Sequence, residues 1–173
     1  MHEKEESTTR SDGAIVWMAQ DILQGCIKEA SAKYPLETGG TFMGWWSDTG
    51  AAVITAVIGP GSNAYHARNS FQPDQTWQME QIACHYEASG RRETYLGDWH
   101  SHPNAIDGSI SWIDRCVLRR VIRTPSSRCL TPLMSVIWGE PDSWQISTWF
   151  AHMIPRTFLR DRLVLDHALM KYS

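Results

Sequence analysis

The chain has no Cys-x-x-Cys pair, no His-Glu-x-x-His, no Pro-Cys-x-x-Cys and no Gly-x-Ser-x-Gly. Each absence closes a class of chemistry. A zinc ribbon or a thioredoxin-type centre needs the first, and a zincin helix the second. The third belongs to the zinc nucleobase deaminases, and the last to the strained nucleophile turn of serine hydrolases. No apolar run approaches the roughly 20 residues that span a bilayer, and the opening MHEKEESTTRSDG has no apolar signal core. Neither sign of charge dominates. Sixteen Lys and Arg stand against 19 Asp and Glu, for a net −3, so neither bulk nucleic-acid binding nor a polybasic membrane contact is expected. Internal repeats are absent.

What remains is a chain of 173 residues, enough for one domain with a hydrophobic core. Residues 1–13 are polar and are expected to form a flexible lead, with a single domain over 14–173. The four cysteines, at 26, 84, 116 and 129, have no paired spacing. Free thiols in a reducing cytoplasm are the expectation. Nine tryptophans are many for this length, and most are expected in the core or along a groove wall.

The hydrophobic pattern predicts a strand at 14–18 and an amphipathic helix over 19–33, where Ile22, Leu23, Cys26, Ile27 and Ala30 recur at helical spacing. TFMGWW and 51–58 read as a hairpin around Ser47–Gly50. Gly59-Pro60-Gly61 breaks the strand, and 61–72 is expected to be an exposed loop. A helix follows over 73–89, a strand over 94–101, a loop over 103–110 and a helix over 111–122. Residues 133–138 and 144–150 pair as a second hairpin, and 156–170 is expected to be a final helix. Strands and helices interleave while two strand pairs are hairpins, so the fold class is α/β with a mixed, mainly antiparallel sheet flanked by helices.

The sharpest local feature is GDWHSHP at 97–103. On a strand, residues i and i+2 share a face. His100 and His102 can therefore aim two imidazoles at one point while Ser101 faces the other way. Imidazole is a preferred zinc ligand, and a catalytic zinc takes three protein ligands and leaves a position open. Asp114 is the candidate third ligand, in the first turn of the helix that Ser111 would cap. Glu37 would serve as general base if its strand edge lies beside the His-x-His strand. Asp98 shares the ligand face and could orient an imidazole; the plainer reading is a carboxylate solvated at a strand edge. His66, His85, His152 and His167 fit no ligand spacing and read as structural or surface residues. Arg115, Arg119 and Arg123 recur every four residues; a solvated helix face is the plain reading, and a docking surface for an acidic partner the functional one.

Glu37 before a Gly-Gly strand, then HSHP, then Ser-x-x-Asp resembles the motif of the JAMM (MPN+, JAB domain) metallopeptidases. ETGGTFMG, the Gly-Pro-Gly break, FQPD before a helix, YLGDWHSHP and SWIDRCVLRR extend the likeness to stand-alone bacterial JAB domains over about residues 14–150. One spacing departs. Pro103 to Ile110 is one residue longer than the family's usual interval, so Ser109 competes with Ser111 for the serine position; Ser111 keeps the Ser-x-x-Asp step, and Gly108 is expected to absorb the extra residue.

The resemblance implies the MPN (JAB) fold and Zn2+ on His100, His102 and Asp114. It further implies that Glu37 takes and returns the proton, while the Ser111 hydroxyl assists the carbonyl oxygen. The implied reaction is hydrolysis after the C-terminal tail of a ubiquitin-like protein, or of a protein conjugated in that way. The implied partners are E1- and E2-like enzymes of antiphage operons (CBASS or Bil type). Processing of a sulfur-carrier protein and a non-catalytic MPN scaffold are the alternatives. The loops at 59–71 and 103–110 would wall the groove for the tail, with Trp45, Trp46 and Trp99 narrowing it.

Overall fold

A computed structural model describes residues 14–156 and 161–173; the expected N-terminal lead over 1–13 lies outside the described residues. The chain opens with β1 (Ile15–Met18) and α1 (Gln20–Lys33). In α1, Ile22, Cys26 and Ala30 recur every four residues, and these three are buried, as an amphipathic helix on a sheet requires. A hairpin of β2 (Gly39–Trp46) and β3 (Ala52–Ile58) follows. The 61–72 region, expected to be a plain loop, contains a small hairpin of β4 (Tyr65–Ala67) and β5 (Ser70–Gln72).

Next come α2 (Gln75–Ala88), β6 (Thr94–Pro103) and α3 (Trp112–Arg123). Asp74 caps α2 through its side chain, which accepts from the Trp77 amide at 3.2 Å. Four strands complete the chain: β7 (Leu133–Gly139), β8 (Gln145–Ile154), β9 (Arg162–His167) and β10 (Leu169–Tyr172).

The main sheet runs β10-β1-β3-β2-β6-β7-β8-β9. The β1–β10, β1–β3 and β6–β7 pairs are parallel and the other four antiparallel. The mixed, mainly antiparallel sheet flanked by helices is thus observed. One core, with Trp99, Leu133, Ile137 and Phe42, covers the α1 face. A second joins Leu118 of α3 to Met134, Ala151 and Leu163 on the opposite face.

The expected helix over 156–170 is wrong; 157–160 lie outside the described residues, and the rest is β9 and β10. Those two strands stand at opposite edges of the sheet, yet only Ala168 separates them. The sheet therefore curls until its edges nearly meet. The Ala168 amide donates to Thr148 O on the β8 side at 2.8 Å, and the next amide, Leu169, donates to Ala14 O at 2.7 Å. Pairing here also satisfies the outer backbone groups of β8 and β1, which a helix would leave open, so tertiary context overrides local propensity.

The tryptophans also depart from expectation. Of the nine, only Trp99 is buried, while Trp17, Trp45, Trp46 and Trp112 are each more than a third exposed.

Candidate metal centre

β6 lies between β2 and β7. Its alternation puts Trp99 and Ser101 toward the α1 core and His100 and His102 toward α3. The two imidazole Nε2 atoms are 2.9 Å apart. Asp114 Oδ1 lies 3.4 Å from His100 Nε2, and these two side chains are each only 12% exposed. All three ligand atoms lie within 4.8 Å of one another. Two atoms bound to one tetrahedral zinc at about 2.0–2.1 Å stand about 3.3 Å apart. The three residues fit one metal ion.

Asp114 is held for this by the start of α3. Its amide donates to Ser111 Oγ at 3.2 Å, and its Oδ2 accepts from the Ser111 amide at 2.8 Å. This capping box fixes the carboxylate so that Oδ1 faces His100. Burial works to raise the Asp114 pKa. The hydrogen bond and charge of His100, with both Ser111 contacts, outweigh burial and hold it well below the usual carboxylate range. Burial pushes His102 down to about 4, with His100 adding and Asp114 and Asp107 opposing. A neutral imidazole is the form that binds metal.

Glu37 sits just before β2, partly buried. Gly39 pairs with His100 across β2 and β6, which brings Glu37 to the ligand end of β6. Burial lifts its carboxyl to about 7, His100 lowers it and Asp114 raises it, so it feels both candidate ligands. The Gly-Gly step is a matter of close approach. A Cβ on Gly39 would sit 2.3 Å from Trp99 O and 2.8 Å from the Phe71 ring; one on Gly40 would sit 2.2 Å from Ile58 O.

The segment after Glu37 is tied to β6 reciprocally. The Ser101 amide donates to Thr38 O at 2.7 Å, and the Thr38 amide donates to Ser101 Oγ at 3.0 Å. The β4–β5 hairpin holds Glu37 from the other side. The Glu37 amide donates to Ala67 O at 2.8 Å, and His66 Nδ1 lies 2.9 Å from Glu37 O. A carbonyl only accepts, so Nδ1 carries the proton. His66, set aside on spacing, thus touches the backbone of the candidate base; its 29-residue separation leaves no motif that would reveal this.

Ser109 and Ser111 are no longer equivalent. The Ser109 hydroxyl and amide both donate to Asp107 Oδ1. Ser111 Oγ accepts from the Asp114 amide as a cap, and its hydroxyl also lies by the Asp114 carboxylate and helps to hold that group ionised. Gly108 does more than absorb loop length. It is buried, and a Cβ there would sit 2.3 Å from Ser147 Oγ and 2.6 Å from Trp138 Nε1. Trp149 Nε1 donates to Gly108 O at 3.2 Å, so the loop is clamped to β7 and β8.

Three further expectations are corrected. Asp98 is not on a strand edge. It accepts from Thr41 Oγ1 at 3.0 Å and Tyr95 OH at 2.9 Å on a central strand, and bonds no ligand imidazole. Trp45 and Trp46 lie at the far end of β2 from Gly39, about 20 Å along the strand, and cannot narrow a groove at the metal site. Trp99 faces away from His100. Exposed apolar residues on the elements that carry the site include Tyr65 on β4, Ile106 in the 103–110 loop, and Trp112 and Ile113 next to Asp114. As for the remaining histidines, His85 pairs with Glu93, His152 with Asp166, and His167 packs edge-on against Trp149.

Comparison with known proteins agrees with this picture. A family model described as prokaryotic homologs of the JAB domain matches residues 19–150. "Probable metalloprotease y4qB" of Sinorhizobium fredii (strain NBRC 101917 / NGR234) is 44% identical over 149 residues, covering 86% of this chain and 91% of that protein. The solution structure of protein DSY2949 from Desulfitobacterium hafniense superimposes with a TM-score of 0.64 over 92% of this chain and 94% of its own, at 15% identity. That last likeness is one of fold.

Proposed function

This chain belongs to the prokaryotic homologs of the JAB domain, and on that premise we propose that it is a zinc-dependent peptidase. Its proposed substrate is the amide bond after the C-terminal tail of a ubiquitin-like protein, or of a protein conjugated in that way. The observation that carries the reading is the convergence of His100, His102 and Asp114 within 4.8 Å, with Glu37 close enough to feel two of them.

His100, His102 and Asp114 would hold the ion. Bound there, zinc supplies a Lewis acid that lowers the pKa of a water from 15.7 towards about 7 and polarises a carbonyl. Glu37 receives the water's proton on its carboxylate and passes it to the departing amine. Burial works against the charged form of this carboxyl, so it can take a proton as well as release one. The Ser111 hydroxyl would turn from the Asp114 carboxylate to donate to the carbonyl oxygen as charge gathers there, whereas the Ser109 hydroxyl is spent on Asp107.

An extended tail suits the surroundings. Exposed Tyr65, Ile106 and Trp112, on the elements that hold Glu37 and Asp114, could offer it apolar contact. We expect small residues beside the cut bond, where the tail would pass between the β4–β5 hairpin and the 103–110 loop. We place the protein in the cytoplasm because its four cysteines are free; the E1- and E2-like partners rest on the resemblance alone. A sulfur-carrier protein would present the same kind of tail.

The test is a reporter fused to a candidate tail from a neighbouring gene. Cleavage should fall at the junction, need zinc, and drop when the terminal small residue becomes Trp. Cutting of casein at many sites with no tail preference would make this a general protease. Full metal content with no cleavage of any tail would support the MPN scaffold reading.

A further inference from the structure

Beside α3 lies a cavity of about 340 Å³ that the proposed chemistry does not use, lined by Ser109, Ile110, Arg115, Trp149, Arg162 and Leu165, among others. Trp149 and Leu165 form an apolar wall. They sit on the α3 face of β8 and β9, since Ala151 pairs with Leu165 and both belong to the Leu118 cluster. That wall is fixed. The Trp149 indole donates to Gly108 O at 3.2 Å and meets His167 edge-on at 4.8 Å. The charged part comes from Arg115 and Arg162, both exposed. Among the described residues neither has a carboxylate within ion-pair distance.

Arg119 and Arg123 continue the Arg115 side of α3 at intervals of four. They carry positive charge about 12 Å along the helix from the cavity. Among the described residues neither has a carboxylate within ion-pair distance, and Arg119 Nη1 donates only to Arg115 O at 3.5 Å. A chain with a net charge of −3 therefore keeps one basic face without ion pairs beside a pocket that has a single apolar wall.

We infer that this cavity and the arginine row of α3 form a docking site for an acidic segment of a partner protein, with an apolar side chain seated against Trp149 and Leu165 and flanking carboxylates on Arg115, Arg162 and Arg119. Guanidinium forks match carboxylates in bidentate geometry. The row is too long for a single phosphate. Nucleic acid fits less well, because binders of that class carry a basic domain overall, and this chain has a pI of about 6.1. Arg115 directly follows Asp114, so a segment held here lies within one helical turn of a candidate metal ligand.

The site is testable without any cleavage assay, which separates its fate from that of the peptidase reading. The probe is a short glutamate-rich peptide carrying two leucines, titrated calorimetrically into the full-length, zinc-loaded protein at low salt. Binding should weaken about tenfold or more in Arg162→Gln and more in Arg162→Glu, with metal content and melting temperature unchanged. It should also fall steeply with added salt. Replacing the leucines by serine should weaken it as well. Absence of binding, or binding indifferent to both Arg162 variants, overturns the inference. So does equal affinity for inorganic phosphate, which would mark a simple anion site, or tighter binding of oligothymidylate.

Discussion

Ser101, the residue between the two candidate ligand histidines, exchanges two hydrogen bonds with Thr38, the residue after the candidate base. Both residues are fully buried. The pair sets the distance between the strand that would bind the metal and the residue that would move the proton. Ser101→Ala leaves the Thr38 amide buried without an acceptor, which costs about 1–3 kcal/mol. Urea denaturation should show that loss with little change in its slope. A variant as stable as the parent would mean that the exchange is not structural.

Metal content should be about one ion per chain, and His102→Ala should lose most of it. His102 makes one contribution to how the metal competes with protons. Its folded pKa is pushed from 6.5 to about 4, so the imidazole stays neutral through the mildly acidic range. Proton competition at this ligand then begins near pH 4 rather than 6.5. Following the His102 ring by NMR in the metal-free protein checks this, and a midpoint at 6.5 would contradict it.

Glu37→Gln should keep the fold and the metal and lose about 10²-fold or more in turnover, since the amide cannot accept a proton. The metal-free protein offers a second readout. Glu37 is raised from 4.5 to about 7 on folding, so its stabilising contribution is present below pH 4.5 and is lost as pH rises through 7. Glutamine does not titrate. The metal-free variant should therefore melt higher than the metal-free parent at pH 8, and the gap should close as pH falls towards 4.5. Melting curves in chelator at both ends of that range decide it; a gap that widens on acidification would place Glu37 outside a desolvated site.

Alkylation should spare activity. Burial pushes the Cys26 thiol up to about 12 and Cys129 up to about 11, so neither forms a thiolate readily. Cys84 is exposed and should react first. Chelation, in contrast, should abolish cleavage. Loss of activity on modifying Cys84 alone would point to a thiol-based mechanism.

Much of the site was legible in the sequence because it rests on short-range periodicity. Two residues apart on a strand is one face, which placed His100 with His102; a serine three residues before an aspartate at a helix start is a capping box, which placed Asp114. The order of motifs, ETGG before HSHP before Ser-x-x-Asp, carried the family. The amphipathic α1 and the β2–β3 and β7–β8 hairpins could likewise be read from local pattern and turn residues.

Only the tertiary structure decided the rest, because it depends on which distant backbones meet. Glu37 reaches the histidines through the Gly39–His100 register, and His66 reaches Glu37 through a hairpin that no local pattern in 61–72 announced. Ser111 and Ser109 differ only once Asp107 folds back on Ser109. The final segment reads as a helix by itself and becomes β9 and β10 because two open sheet edges stand ready to pair with it. Periodicity reports which face a residue takes; the satisfaction of backbone hydrogen bonds across the whole sheet decides what that face will touch.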